Sequence, residues 1–338
     1  MKELKNLLLL TLFMAISLMD ANAQDPQFSQ FYATPLYLSP SYAGSVKKSR
    51  LMLDNRIQWA ALPKAYTTYA LAGDHNFQKR NFGVGFVFTR DVSGEGRLAQ
   101  NTIGVVYAYR LEIKNIVTFR PGIGFYYTLT SVDFLRNTFF DQLNQQGAGT
   151  GSTVSVIPAD NQRAFPDASA SLLIHTAGVW LGFTADHLLR QNQSLIRYID
   201  YVQLKYTLFG GARFPIANNS LFSQGQSLSA SFLYKRQGYF NQLDLTTIFS
   251  SRPFMVGISF RGIPFLKQQG VDYYNSTDAV VLHFGYSFKD FTFAYSYDFT
   301  VSKLATSTGG AHELSVIYDL SELASPKRKR AMPCPRVY

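Results

Sequence analysis

Histidine and cysteine are the residue types that most readily support catalysis or metal binding, and this 338-residue chain has five of the first and one of the second. The histidines are scattered along the sequence, at His75, His175, His187, His283 and His312. No G-x-S-x-G, H-E-x-x-H or P-loop pattern occurs, and residues 44–49 resemble a phosphate loop only loosely, since no helix is predicted to follow them. A nucleophilic triad needs Ser, His and an orienting polar group on one rim, and the spacing indicates none. We therefore predict a protein that is not an enzyme and binds no cofactor or metal.

The single cysteine, Cys334, lies between Pro333 and Pro335. One cysteine excludes a disulfide framework and a cysteine-based structural zinc site. A lone cysteine has either no role or a covalent or metal-assisted link to another molecule.

Charged residues recur on the polar faces of the alternating segments described below, namely Asp54, Arg56, Asp74, Asp244, Arg261, Asp298 and Glu313. Such residues either line a path for solutes or pair with each other across a narrow interior. Because both signs occur, we predict ion pairs that hold the interior shut.

The composition has 46% hydrophobic, 15% aromatic and only 16% charged residues, with a net charge of +10. Soluble domains carry about 25% charged residues, and disordered chains have few aromatic ones. After the first 20 or so residues, no apolar run approaches the roughly 18 that a membrane-spanning helix needs. These values exclude a helical membrane protein and are unusual for a soluble enzyme.

The N-terminus has the pattern of a secretory signal peptide. Lys2 and Lys5 precede an apolar run over residues 7–18, and Ala21 and Ala23 form an A-x-A cleavage site. We expect residues 1–23 to be removed, so that Gln24 begins the mature chain.

Strict alternation of apolar and polar residues, the period of a β-strand, dominates the remainder. In residues 291–301, every second side chain is aromatic or aliphatic, while those between are small or polar. The segments run about 9–12 residues, which is the length that crosses a bilayer at a tilt, and backbone groups in lipid must all be paired. We therefore predict an all-β fold, a transmembrane outer-membrane β-barrel of about 14 antiparallel strands.

The predicted strands cover 49–59, 65–76, 81–90, 97–111, 115–129, 167–175, 178–187, 200–213, 226–237, 240–250, 253–262, 277–288, 290–301 and 311–320. An even number of strands places both termini on the periplasmic side, with short turns there and long loops outside. The connector 214–225 breaks this rule because it is long. The predicted organisation is a signal peptide (1–23), a periplasmic or plug segment (24–48), the barrel (49–320) and a basic periplasmic tail (321–338).

Several sequence blocks, in order and spacing, resemble the PorP/SprF family of the type IX secretion system of Bacteroidetes. The blocks lie at 24–32, 35–37, 40–44, 56–59, 62–63, 67–69, 91–97, 166–167, 181–182, 186–188, 297–302, 308–315 and 334–335. The first reads QDPQFSQFY, and the strongest read YDFTVS and TGGAHELS near the end. The resemblance covers essentially the whole mature chain.

The resemblance implies an outer-membrane barrel that has no cofactor. Such a barrel docks secretion ring and translocon proteins, or the C-terminal region of a secreted adhesin. Docking would support export or gliding-type surface anchoring of the adhesin. Besides these partners we expect outer-membrane lipid and no nucleic acid. The candidate contact residues are Gln24, Asp25, Pro26, Phe28, Phe31, Tyr32, Lys327, Arg328, Lys329, Arg330 and Cys334. The loop at about 130–166 is the expected external contact because it is polar and too long for a simple turn. The alternatives are a passive porin or fatty-acid-type channel and, in a third class, a barrel hydrolase.

Overall fold

A computed structural model describes residues 25–62, 65–94, 98–114, 116–133, 142–144, 147–148, 161–195, 199–216, 226–262, 277–301 and 308–320. The predicted signal peptide, Gln24, the basic tail and most of the 130–166 loop lie outside these ranges. Among the described residues, no helix is both long and apolar enough to cross a membrane.

Fourteen long antiparallel strands form the wall of the protein, as the alternation predicts. They are β1 (Ser49–Gln58), β2 (Tyr66–Phe77), β3 (Phe82–Ser93), β4 (Leu98–Tyr109), β6 (Val117–Ser131), β9 (Gln162–His175), β10 (Val179–Asp186), β11 (Lys205–Pro215), β12 (Ser227–Gln237), β13 (Phe240–Ser251), β14 (Phe254–Gly262), β15 (Thr277–Phe288), β16 (Phe291–Thr300) and β17 (Ala311–Leu320). Each strand pairs with its neighbours, β1 pairs with β17, and β4 pairs with β6, so the sheet closes into a barrel. Closure pairs every strand edge, as a membrane requires.

Three short strands accompany these fourteen, one in the barrel sheet and two in a separate hairpin. The strand β5 (Leu111–Ile113) extends the β4 side of the barrel against β6, and β7 (Leu143–Asn144) pairs with β8 (Gly147–Ala148) within the long loop. The largest differences from the predicted boundaries are at the starts of two strands, each displaced by five residues. The strand β9 begins five residues earlier than expected because residues 162–166 pair with 127–131, and β11 begins later, at Lys205.

The barrel has two unlike ends. At one, the turn end, Ser49 pairs with Leu320, and the connections 78–81, 176–178, 252–253 and 289–290 are short. The connection 216–226 at this end is long, as the sequence predicts. At the other, the loop end, lie the connections 132–161, 187–204 and 263–276. The turn at residues 238–239 is short although it lies at the loop end, so it departs from the predicted alternation of short turns and long loops.

Side chains of each strand alternate between an outward apolar face and a buried inward face. In β16 the outward residues Phe291, Phe293 and Phe299 are exposed, whereas Ser296 and Asp298 are buried. Phe125 is 58% exposed at the middle of β6. A broad apolar exterior on a closed sheet is what a lipid bilayer covers.

The N-terminal segment, residues 25–48, lies inside the barrel and contains α1 (Pro35–Leu38) and a 3-10 turn (Pro40–Tyr42). Residues 28–36 are all buried. Asp25 contacts residues near the loop end, whereas Gly44 contacts Asp74 near the turn end, so the segment runs the length of the lumen before it enters β1.

Candidate functional site: the N-terminal segment in the lumen

The apolar residues of the N-terminal segment form part of the core of the barrel. Phe31, Tyr32 and Leu36 belong to the same buried cluster as Met52 on β1 and Phe209 on β11. Burying a large apolar side chain is worth about 1.5–3 kcal/mol, so this packing alone favours the inserted segment.

A buried polar cluster, which we call the central latch, joins the segment to the wall. Arg56 on β1 bonds Glu313 on β17 at 3.0 Å and Asp298 on β16 at 2.7 Å. The two carboxylate oxygens of Glu313 accept the backbone N–H groups of Ser29 and Gln30, both at 2.7 Å. Glu313 therefore pairs with Arg56 of the wall and also accepts hydrogen bonds from the backbone of the segment.

Side chains of the segment complete the central latch. The Ser29 hydroxyl donates to Asp298 and accepts from both Arg56 and Arg261 at 2.6 Å. The Ser315 hydroxyl lies 2.8 Å from the Gln30 Oε1 and also contacts an Asp54 carboxylate oxygen, so its one proton can be donated to either of them. Buried charges are tolerated when they are paired and their remaining polar atoms form hydrogen bonds. Most polar atoms of this cluster have such a partner.

Near the turn end, the wall holds the backbone of the segment. Arg120 on β6 donates to the carbonyls of Ser41 at 3.0 Å and Ala43 at 2.5 Å, and Asp74 accepts the N–H of Gly44 at 2.8 Å. Gly44 has a φ of +67°, and a Cβ at Gly83 on β3 would lie 2.2 Å from the carbonyl oxygen of Ala43. Close backbone approach therefore requires glycine at position 83.

Near the loop end, Asp25 forms a second polar cluster, which we call the loop-end latch. Its carboxylate lies 2.6 Å from the Lys205 Nζ and 2.9 Å from the His187 Nε2, and it accepts a hydrogen bond from Gln237 at 3.1 Å. The other ring nitrogen of His187 lies 2.5 Å from Asp167. The ammonium of Lys205 also lies 5.6 Å from the centre of the Tyr37 ring.

These contacts change the pKa values of the latch. Burial opposes the charge of His187, but the carboxylates of Asp25 and Asp167 outweigh it and raise the pKa of His187 to about 10. Burial likewise opposes the charge of Asp25, yet His187 and Lys205 hold the pKa of Asp25 well below its usual value. At neutral pH the latch is therefore an ion-paired cluster.

A cavity of about 120 Å³ lies beside the loop-end latch. Its wall combines hydroxyl, aromatic and carboxylate side chains, among them Thr89, Thr102, Thr128, Tyr126, Asp91 and Asp186. Thr89 and Thr102 are direct cross-strand partners, as are Thr102 and Thr128, so the hydroxyls form a row over β3, β4 and β6.

The prediction that the interior charges pair is confirmed. Arg56 pairs with Asp298 and Glu313, Arg261 pairs with Asp244 and Asp298, and Asp74 pairs with Arg50. Asp54 is the exception, since among the described residues it is bonded to the Ser315 hydroxyl rather than to a cation.

The candidate contact residues at the start of the chain face the chain's own barrel in this structure. Phe28 and Phe31 are buried, the carbonyl of Pro26 accepts the Tyr37 hydroxyl at 2.7 Å, and the Tyr32 hydroxyl lies 3.2 Å from the His283 Nδ1. The candidates Gln24, Lys327, Arg328, Lys329, Arg330 and Cys334 lie outside the described residues.

Sequence reasoning selected the charged wall residues of the central latch but missed others that hold the segment. His187 entered only as a scattered histidine and within the block 186–188, and Lys205 and Gly83 were not selected. The neighbouring sequence Asp186-His187 was a usable signal, because it places two titratable groups at the end of a strand.

A family model described as "Type IX secretion system membrane protein PorP/SprF" matches residues 20–318. The chain belongs to this family. It is therefore a membrane component of the type IX secretion system, and its barrel fold places it in the outer membrane. Membership of PorP/SprF also implies interaction with other components of that system.

Two solved structures illustrate the likeness of fold. A FadL homologue of Pseudomonas aeruginosa is 14% identical, with a TM-score of 0.44 over 86% of this chain and 94% of that one. Omp33 of Acinetobacter baumannii is 10% identical, with a TM-score of 0.41 over 81% of this chain and 99% of that one. With sequence identities and TM-scores this low, these structures say nothing about the function of PorP/SprF proteins. Among curated proteins, no match was found.

Proposed function

We propose that this barrel works by docking other proteins of the type IX system, not by passing solutes or catalysing a reaction. At the loop end it would receive the C-terminal region of a secreted surface adhesin, and at the turn end the periplasmic motor ring. Docking would support export or surface anchoring of the adhesin, as in gliding. The proposal needs no cofactor.

The observation that carries this proposal is the occupied lumen. The N-terminal segment is held by the central latch, by Arg120 at the turn end and by the loop-end latch, and its residues 28–36 are buried. A solute path would require these contacts to break together. The two ends of the barrel, in contrast, remain available to partners.

The difference between the two ends of the barrel supports one orientation of the barrel in the membrane. Barrels of bacterial outer membranes have short periplasmic turns and longer extracellular loops. By this rule the turn end, with Ser49 and Leu320, faces the periplasm, as does the basic tail 321–338. Asp25, however, lies near the loop end, so the start of the segment reaches towards the outer face. The first and last strands of the barrel, in contrast, begin and end at the turn end.

Affinity purification of the tagged protein from outer membranes in mild detergent tests the docking function. Recovery of ring subunits or of one large adhesin is the expected result. Recovery of the barrel alone, together with steady ion conductance in a planar bilayer, would contradict docking and favour a diffusion channel. Hydrolysis of an ester or lipid that is lost on replacing one serine would contradict the absence of catalysis.

Protease treatment of intact cells tests the orientation. A tag placed in the tail should survive external protease and be cut only after the outer membrane is permeabilised. Cleavage in intact cells would reverse the assignment of the two ends.

A further inference from the structure

The loop-end cavity has an excess of negative charge. Five carboxylates line it, against two basic groups, and these residues are Asp25, Asp91, Asp167, Asp186, Asp200, Lys205 and His187. The two basic groups are both engaged by Asp25, and they also contact Asp167 and Asp186. Asp25, Asp167 and Asp186 still outnumber these two basic groups by one, and the rest of the excess is on Asp91 and Asp200.

Asp91 projects its carboxylate into this cavity without a basic partner among the described residues. It accepts hydrogen bonds from the Thr68 hydroxyl at 2.6 Å and the Ser93 hydroxyl at 2.9 Å. Asp200 likewise bonds the Gln193 amide at 3.1 Å and forms no ion pair in the described part of the chain. In the described part of the chain both carboxylates therefore lack a basic partner, and an incoming cation could pair with them.

The same cavity already contains one bound ammonium group, which belongs to the chain itself. The Nζ of Lys205 lies 2.6 Å from Asp25 and 3.3 Å from Asp186, with the Tyr37 ring on another side. Carboxylates together with an aromatic face are what a desolvated ammonium or guanidinium group prefers. Across the cavity, Asp91, the hydroxyl row and the Tyr126 side chain offer a similar set of groups, which binds no basic side chain of the described residues.

We propose that this cavity is a binding site for a basic side chain, a lysine or arginine presented by an exported polypeptide. The inference rests on the proposed docking function and specifies its chemistry at the loop end. The cavity of about 120 Å³ is large enough for one such side chain but not for a folded partner. The partner would insert a basic residue beside Asp91 while the N-terminal segment stays in place.

Peptide binding to the purified full chain in lipid nanodiscs tests this site. The probes are three fluorescein-labelled pentapeptides, Ser-Gly-X-Gly-Ser, in which X is lysine, norleucine or glutamate, followed by fluorescence polarisation. We expect the lysine peptide to bind at least tenfold more tightly than the norleucine peptide, with an affinity that falls as salt is added. Equal affinity for the lysine and norleucine peptides would overturn the proposal.

Two variants locate the binding. Asp91→Asn keeps the volume of the side chain and removes its charge. We expect it to lower the affinity for the lysine peptide at least fivefold. Asp290→Asn, in a short connection at the turn end, is the matched control and should leave the affinity unchanged. An unchanged affinity in Asp91→Asn, or an equal loss in both variants, would place the peptide elsewhere and refute this site.

The affinity purification described above separates this inference from the docking function. If wild type recovers type IX partners but does not prefer the lysine peptide, docking stands and the basic-residue site fails. If the lysine peptide binds at Asp91 but no partner is recovered, the site stands and the docking function fails.

Discussion

Arg56 and Glu313 are direct cross-strand partners on β1 and β17, and their side chains form a buried ion pair of 3.0 Å. These two strands close the barrel. Glu313 also accepts the backbone N–H groups of Ser29 and Gln30. One carboxylate therefore connects barrel closure to the seating of the N-terminal segment, and this connection motivates the first prediction.

Glu313→Gln should loosen the segment and the barrel seam together. The change keeps the volume but removes the charge that balances Arg56, and breaking a buried ion pair costs about 3–5 kcal/mol. We expect the N-terminal segment to be cleaved faster by protease in nanodiscs and the barrel to unfold at a lower temperature on heated gels. Glu112→Gln, which removes an exposed carboxylate at the turn end, is the control. Wild-type cleavage and melting in Glu313→Gln would show that the central latch contributes little.

Gly83→Ala should displace the segment while leaving the strands intact. Its Cβ would lie 2.2 Å from the Ala43 carbonyl oxygen, and forced overpacking costs about 1–3 kcal/mol. We expect ion conductance in planar bilayers from this variant and none from wild type. Gly178→Ala, whose Cβ would meet its nearest atom at 3.4 Å, is the matched control. Conductance equal to wild type would contradict the close contact.

The loop-end latch should weaken at high pH. An unfolded histidine titrates near pH 6.5, and its pKa is raised to about 10 at position 187. The stabilisation from His187 is therefore complete below about pH 6.5 and is lost as the pH rises through about 10. For Asp25, whose pKa is lowered, stabilisation is present above about pH 3.9 and is lost as the pH falls through its lowered pKa.

Limited proteolysis of the segment between pH 6 and 10.5 measures this effect. Wild type should become steadily more sensitive as the pH rises from about 6.5 to about 10, whereas His187→Gln should be sensitive throughout, with a flat profile. A wild-type profile that is flat over this range would mean that Asp25 and Asp167 do not stabilise the charged ring.

Phe125→Arg should impair insertion into the membrane. Phe125 is 58% exposed near the middle of β6, and an arginine on the lipid face at the midplane costs about 2–4 kcal/mol. We expect a matching loss of folding free energy into lipid vesicles, and almost none for Phe125→Leu. An equal, small effect of both changes would mean that lipid does not cover this face.

The wall was predictable because its signal is local. Alternation with a period of two distinguishes the inward and outward sides of a strand, and all fourteen strands were predicted from it. The start of β9 was less accurate because Gln162 belongs to the strand through pairing with Ser131. The start of β11 was less accurate because residues 200–202 bond residues 191–193 instead of extending the strand. Pairing of the interior charges was also predictable, since unpaired charges would be costly in a closed lumen.

The path of the N-terminal segment was not predictable from local patterns. Ser29 meets Glu313 across 284 residues of sequence, and Asp25 meets Lys205 across 180. A run of polar and aromatic residues can contact another protein or its own barrel, and only the three-dimensional arrangement distinguishes the two. For this reason Phe28, Phe31 and Tyr32 were expected to contact partners.

The separation between Ser29 and Glu313 has a consequence for the order of folding. The acceptors that seat the beginning of the chain, Asp298 and Glu313, lie on the last two strands to leave the ribosome and the export machinery. Ser29 and Gln30 cannot acquire these contacts until the end of the chain arrives. Contacts of such high sequence separation slow folding, so we expect closure of the seam and filling of the lumen to occur as one late, concerted step.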